Sequence, residues 1–183
     1  MATIIKHFIK QPDVVVHPMK TRIRPAEEND LAEIIDIFNQ AIHTRTSTGY
    51  LSEFTVEQRT AWFHEHTKEN YPLLVAEQNK KIIGWVSIEP YRKGRAAFKK
   101  TVEVSFFIHN DFKRKGIGNT LLQTMLHTAK DLGYTSLIAI VLDKNIGSIK
   151  LLKKNNFEQW GCLPEIAETD GKSFGHVYYG KKL

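Results

Sequence analysis

The sequence predicts an α/β fold of the α+β kind: one mixed central β-sheet of about six to seven strands flanked by about four helices. Residues 101–108 carry the clearest strand. Val102, Val104, Phe106 and Ile108 fall on one face and Glu103, Ser105 and Phe107 on the other, a period of two. Apolar residues at i, i+3, i+4, i+7 spacing mark two amphipathic helices. The first runs through Leu31, Ile34, Ile35, Phe38, Ala41 and Ile42; the second through Ile117, Leu121, Leu122, Met125, Leu126, Ala129 and Leu132. With the shorter segments placed between them, the chain reads β-α-α-β-β-β-α-β-α-β-β, which is one layered unit.

Each element has a local reason. A short strand at 21–24 is ended by Pro25. The first helix begins beside Glu27, Glu28 and Asp30, negative charge where the helix dipole favours it. A Ser/Thr/Gly segment follows at 44–52, and a second helix is expected over 56–66. Strands at 73–77 and 82–88 are joined by Gln78-Asn79-Lys80, a hairpin-like signal. Residues 91–100 form a basic, glycine-containing loop, and Gly133 stops the long helix. An apolar strand at 136–142 leads to a shorter helix at 145–155, capped by Asn145 or Asp143. Closing strands are expected at 157–160 and 176–179. Residues 1–20 read as an N-terminal extension and 21–183 as the domain proper, with no internal repeat or linker.

The 183 residues, 42% hydrophobic and 25% charged, suffice to bury a core without disulfides. Cys162 is the one cysteine, which excludes an internal disulfide framework, a multi-cysteine zinc site and a CxxC pair. The net charge of +6 points to an anionic partner: nucleic acid, a lipid surface or a phosphorylated small molecule. No nucleic-acid-binding signature accompanies the basic runs at 113–115 and 153–154, so no nucleic-acid partner is expected, while a nucleic-acid-binding module stays as an alternative that the charge leaves open. No unbroken apolar stretch reaches the roughly 7–15 residues of a secretory signal or the about 20 of a membrane span. No membrane contact is expected, and the cytoplasm is the expected location. His64 and His66, two apart on a helix, do not share a face and read as surface residues; no metal is expected.

The most informative stretch joins the strand at 101–108 to the long helix through Lys113-Arg114-Lys115-Gly116-Ile117-Gly118. A helix N-terminus preceded by glycine presents free amides and a positive dipole end, a site suited to a pyrophosphate. Gly116 and Gly118 would let backbone approach a ligand closely, and the three basic side chains add charge. Neither a Walker loop nor a GxGxxG fingerprint is present. On these residues alone, a solvated basic turn capping a helix is equally open.

The order of the pieces resembles the GNAT superfamily of acetyl-CoA-dependent N-acetyltransferases. Its phosphate loop, Arg/Gln-x-x-Gly-x-Gly/Ala, is matched at 113–118 with Lys in first place. Within it the chain is similar to the phosphinothricin/L-amino acid N-acetyltransferase branch. The resemblance is carried by Ile23-Arg24-Pro25-Ala26, Ile37-Phe38-Asn39-Gln40-Ala41, Ala61-Trp62-Phe63, Tyr71-Pro72-Leu73-Leu74-Val75-Ala76-Glu77, Thr101-Val102-Glu103-Val104-Ser105 and Asn145-Ile146-Gly147-Ser148-Ile149.

The resemblance implies acetyl-CoA as co-substrate, with the pantetheine arm along Phe106, Phe107 and Ile108. The pyrophosphate would lie on the amides of Lys113, Arg114, Lys115, Gly116, Ile117 and Gly118, with Asn145 in contact. It implies Glu103 as general base and a backbone N–H near Phe107 polarising the thioester carbonyl. A protonated amine cannot attack a thioester, so a base must take its proton. Without the resemblance, Glu103 reads as a solvated strand charge and Asn145 as a helix cap. Tyr91, Arg92, Phe98 and Lys99 are candidates for the amine acceptor, since that loop helps shape the pocket in the branch. The resemblance implies a small-molecule amine, with an amino acid or analogue leading, and admits a homodimer. A protein N-terminus or polyamine is the alternative acceptor. Leu152 stands where the superfamily often has Tyr and the branch His, and it donates no proton, which would also suit a non-catalytic CoA binder. Trp62 and Phe63 read as packing, His176 as a structural polar contact and Cys162 as a passive thiol.

Overall fold

The computed structural model describes residues 21–183, so the extension expected at 1–20 lies outside the described residues. The strands are β1 (Arg22–Pro25), β2 (Leu73–Gln78), β3 (Lys81–Pro90), β4 (Thr101–Ile108), β5 (Ser136–Leu142), β6 (Glu158–Thr169) and β7 (Lys172–Lys182). The helices are α1 (Leu31–His43), α2 (Val56–His64), α3 (Ile117–Asp131) and α4 (Ile146–Lys154). The strands form one seven-stranded sheet in the order β1-β2-β3-β4-β5-β7-β6. Neighbours are antiparallel except β4 and β5, which are parallel. The fold class read from the sequence holds.

Each face of the sheet buries its own core. On one, Leu121, Leu122 and Met125 of α3 pack with Val86, Val102, Val104 and Leu137. On the other, Ile34, Ile37 and Phe38 of α1 pack with Val75 and Trp85, and Phe107 joins from β4. The alternation along β4 therefore points the way the sequence says. The Trp85 indole donates to the Ile34 carbonyl at 3.0 Å, satisfying its polar atom in the core. Arg24 holds β1 in place through Asp30 (2.6 and 2.9 Å) and Glu77 (2.6 Å). Among the described residues no helix is long and apolar enough to cross a membrane.

Three local expectations change. First, α2 ends at His64. Second, His66 is not a surface residue: its side chain is 3% exposed and its Nδ1 meets the Trp62 carbonyl at 2.9 Å. Third, β6 and β7 are much longer than 157–160 and 176–179. They form a hairpin closed at Thr169 and Lys172 by Asp170 and Gly171, both at positive φ (50° and 70°). Two such residues make the turn whose twist matches paired strands. Most of β6 is exposed, and its register shifts between Leu163 and Ala167, so no apolar alternation marks it.

The feature that positions the site is a splay at the sheet centre. β4 and β5 pair only over Thr101–Ser136, Val102–Leu137 and Glu103–Ile138, and β5 then follows β7 out to Leu142 and His176. Past Glu103, the edge of β4 facing β5 is left open.

Candidate active site

The phase of the β3–β4 ladder fixes which backbone groups face that opening. The His109 amide donates to Ile83 O (3.0 Å) and the Tyr91 amide to Thr101 O (3.3 Å). These two ends, with the register Trp85↔Phe107, Ser87↔Ser105 and Glu89↔Glu103, make the odd-numbered positions of β4 the hydrogen-bonded ones. The Phe107 amide is thus engaged by β3. The groups directed into the opening belong to Phe106 and Ile108, one residue to either side of the position expected to polarise a carbonyl.

A cavity of about 420 Å³ continues from this edge. Phe106, Phe107, Ile108, Lys113, Arg114, Gly116, Gly118 and Asn145 all line it. Lys115 and Ile117 do not: the Lys115 ammonium sits 4.8 Å over the Phe112 ring, and Ile117 is buried in the core. Gly116 caps α3 at φ 85°, a left-handed conformation that glycine adopts without a Cβ penalty. The first amide of the helix to find a carbonyl is that of Thr120, on Gly116 O at 3.1 Å. The amides of Ile117, Gly118 and Asn119 have no carbonyl one turn back. Gly118 serves a different end from Gly116: a Cβ there would come 3.1 Å from Leu151 Cδ2, so its smallness lets α3 approach α4. Asn145 does cap α4, its Oδ1 accepting from the Ser148 amide at 3.2 Å, while also facing the cavity.

A second cavity, of about 540 Å³, lies on the α1–α2 face and shares Ser47 and Phe107 with the first. Its floor is a ladder of facing side chains from β3 and β4: Trp85 with Phe107, Ser87 with Ser105, and Glu89 with Glu103. Burial and the like charge of Glu89 push the Glu103 carboxyl up to about 7. Glu89 accepts from Trp62 Nε1 at 2.8 Å, and His66 Nε2 stands 3.9 Å away. Burial lowers the His66 pKa, which favours the neutral ring. His176 also lines the cavity, its pKa lowered by burial.

Glu103 is therefore where sequence reading puts it, on a cavity wall with Ser105 and Phe107. Tyr91, Arg92, Phe98 and Lys99 line neither cavity; Tyr91 packs on Phe98 with ring centres 5.8 Å apart, and Arg92 lies 5.4 Å over Tyr91. Leu152 is wholly buried in the core. Sequence reading missed Glu89, Ser87 and Arg59, and assigned Trp62 and His176 to structure alone. Alternation along 82–90 groups Trp85, Ser87 and Glu89, but only the pairing register sets Glu89 opposite Glu103.

A mixed sheet parts at its central parallel pair, with a glycine-capped helix at the mouth and a carboxylate of raised pKa on β4, an arrangement that can hold an extended anionic ligand beside a proton acceptor. Residues 20–158 match the family model described as an acetyltransferase (GNAT) domain. The chain belongs to the GNAT family and is an N-acetyltransferase. It is 41% identical over 162 residues to YwnH of Bacillus subtilis, whose name as a phosphinothricin acetyltransferase is itself provisional; the match covers 88% of this chain and 98% of that protein. It is 30% identical over 155 residues to an L-methionine sulfoximine/L-methionine sulfone acetyltransferase of Pseudomonas aeruginosa, covering 84% and 90% of the two chains. A Salmonella typhimurium structure, provisionally an acetyltransferase and solved with its cofactor acetyl-CoA, shares the fold with a TM-score of 0.84 at 26% identity. That match covers 89% of this chain and 94% of the other.

Proposed function

We propose that this protein transfers the acetyl group of acetyl-CoA to the primary amine of an amino acid or close analogue, by direct attack, with Glu103 as general base. The observation that carries this reading is the place of Glu103. It faces the second cavity, which meets the first at Phe107, so a base and an open strand edge adjoin one junction. The relatives named for phosphinothricin and for methionine sulfoximine support an acceptor of the amino-acid class.

The first cavity fits a CoA. The free amides at the start of α3 and the side chains of Lys113 and Arg114 would hold the diphosphate, since unpaired helix amides and positive charge favour phosphate there. The Phe106 and Ile108 backbone would pair with the pantetheine arm, and the carboxamide of Asn145 borders the same path. Acetyl-CoA supplies the activated acyl group. Glu103 takes the proton that an ammonium must lose before its nitrogen can attack. A carboxyl with a pKa of about 7 is half ionised at neutral pH and holds that proton far better than an ordinary glutamate. An amide from Phe106 or Ile108 would stabilise charge on the thioester oxygen. Leu152, sealed in the core, gives the leaving thiolate nothing; a thiol of pKa near about 8.5 needs little help. Residues 21–183 form the catalytic unit in this reading.

Glu103→Gln tests it. The variant is expected to lose about 10²- to 10⁴-fold in kcat/KM, the usual worth of a positioned base, while CoA still raises its melting temperature as in wild type. Undiminished turnover in that variant would remove Glu103 from the chemistry.

A further inference from the structure

One wall of the second cavity carries a cation that is paired with no acid. Arg59, on α2, lines this cavity together with Glu103. Its guanidinium lies over three aromatic faces, 4.4 Å from the Trp62 ring centre, 4.9 Å from Phe54 and 5.4 Å from Phe38. Among the described residues no carboxylate comes within 4.0 Å of it, and its Nε is buried with no hydrogen-bond partner. Aromatic faces satisfy the flat sides of a guanidinium and hold it rigid. They do nothing for its edge, where the N–H donors form a fork that matches a carboxylate. A buried, unpaired donor costs stability, and a ligand that fills it recovers that cost. Ser87 Oγ, on the floor of the same cavity, is likewise buried and without a partner. The two acids on the cavity floor do not pair with it: Glu89 accepts from the Trp62 indole, and Glu103 faces Glu89.

We propose that Arg59 is the anion-binding residue of the acceptor cavity and receives the acidic group of a zwitterionic α-amino acid whose amine is presented to Glu103. This rests on the reading of the second cavity as the acceptor site. It moves acidic-group recognition from the 91–100 loop, whose basic residues line neither cavity, to α2. The acceptor would be bound at both ends, its ammonium by the carboxylates of β3 and β4 and its acid by Arg59.

The test compares L-methionine sulfone with its carboxamide, which keeps the amine and removes the anion. Wild type, Arg59→Met, Arg59→Lys and Lys99→Gln are assayed for acetylation with acetyl-CoA. Met retains an apolar stem to fill the aromatic niche, and an unchanged KM for acetyl-CoA together with the CoA-induced melting shift reports an intact fold. Tryptophan fluorescence, sensitive to any ligand docking beside Trp62, gives acceptor binding without turnover. For wild type the acid is expected to be preferred over the amide. For Arg59→Met, KM and the fluorescence-derived Kd for the acid should rise about 10- to 100-fold, as loss of a charge-assisted hydrogen bond requires. Its kcat/KM for the amide should fall far less than that for the acid, so that the preference for the acid is lost, and Arg59→Lys should recover part of it. Equal losses for acid and amide in Arg59→Met would make the residue merely structural and overturn the proposal. So would indifference of wild type to the carboxylate, or loss of discrimination in Lys99→Gln instead. If wild type acetylates neither compound but acetylates amines without an acid, both this proposal and the amino-acid acceptor fall. If it acetylates no amine while binding CoA, the catalytic reading itself falls.

Discussion

Glu103 and Glu89 occupy facing positions on neighbouring strands, and two carboxylates so placed cannot both ionise cheaply. Burial is the larger cause of the raised Glu103 pKa and Glu89 the second. Removing the second charge in Glu89→Gln lets Glu103 ionise more readily, so the rising limb of kcat/KM against pH should move below about 7. A limb that stays in place would mean that Glu89 does not act on the base. The same shift has a stability consequence. In the unfolded chain Glu103 ionises near 4.5, while the folded protein keeps the proton up to about 7. Between those values the unfolded state sheds a proton that the folded state retains, so this carboxyl's contribution to stability is lost as pH rises. The loss is on the order of 3 kcal/mol above the folded pKa. Thermal melts should therefore show Glu103→Gln several degrees above wild type at pH 8 and close to it at pH 4. An equally stable pair at pH 8 would contradict the burial of this carboxyl.

At the scale of elements, β4 lines both cavities, the start of α3 the first and β3 the second, and their geometry depends on close approach. A Cβ at Gly84 would stand 2.8 Å from Ile108 Cδ1, 3.1 Å from the Phe107 carbonyl and 3.2 Å from Leu121. Gly84→Ala is expected to cost about 1–3 kcal/mol by overpacking and to raise KM for acetyl-CoA, because it displaces the edge proposed to hold the pantetheine arm. Denaturant unfolding and steady-state kinetics check the two effects, and a loss of stability with KM unchanged would separate the edge from the cofactor. The elements also show what a single sequence discloses. Strand β4 was legible because both of its faces are committed, one to the α3 core and the other to a cavity. Helix α3 was legible because Leu121, Leu122 and Met125 need burial on one side. The β6–β7 hairpin escaped despite the Asp170-Gly171 turn signal, since exposed β6 is held by backbone pairing and not by an apolar stripe. Arg59 escaped because α2 has no fully buried residue to define an inward face. Glu89 escaped because its partner lies across a ten-residue loop whose closure no local pattern fixes.

For the whole molecule, the splay between β4 and β5 opens an edge of β4, and two cavities with different linings adjoin there, sharing Ser47 and Phe107. One mouth carries basic side chains and helix amides; the other has paired carboxylates on its floor. The net charge of +6 attracts an anionic co-substrate at long range, so KM for acetyl-CoA should rise as ionic strength goes from low to physiological salt. A salt-independent KM would confine recognition to uncharged contacts. The pH dependence of kcat/KM, measured side by side for wild type and Glu103→Gln, tests most directly whether the carboxyl on the floor of the second cavity is the base. Wild type should climb through an apparent pKa of about 7, and the variant should be slow with that limb missing. The same limb in both proteins would place the base elsewhere.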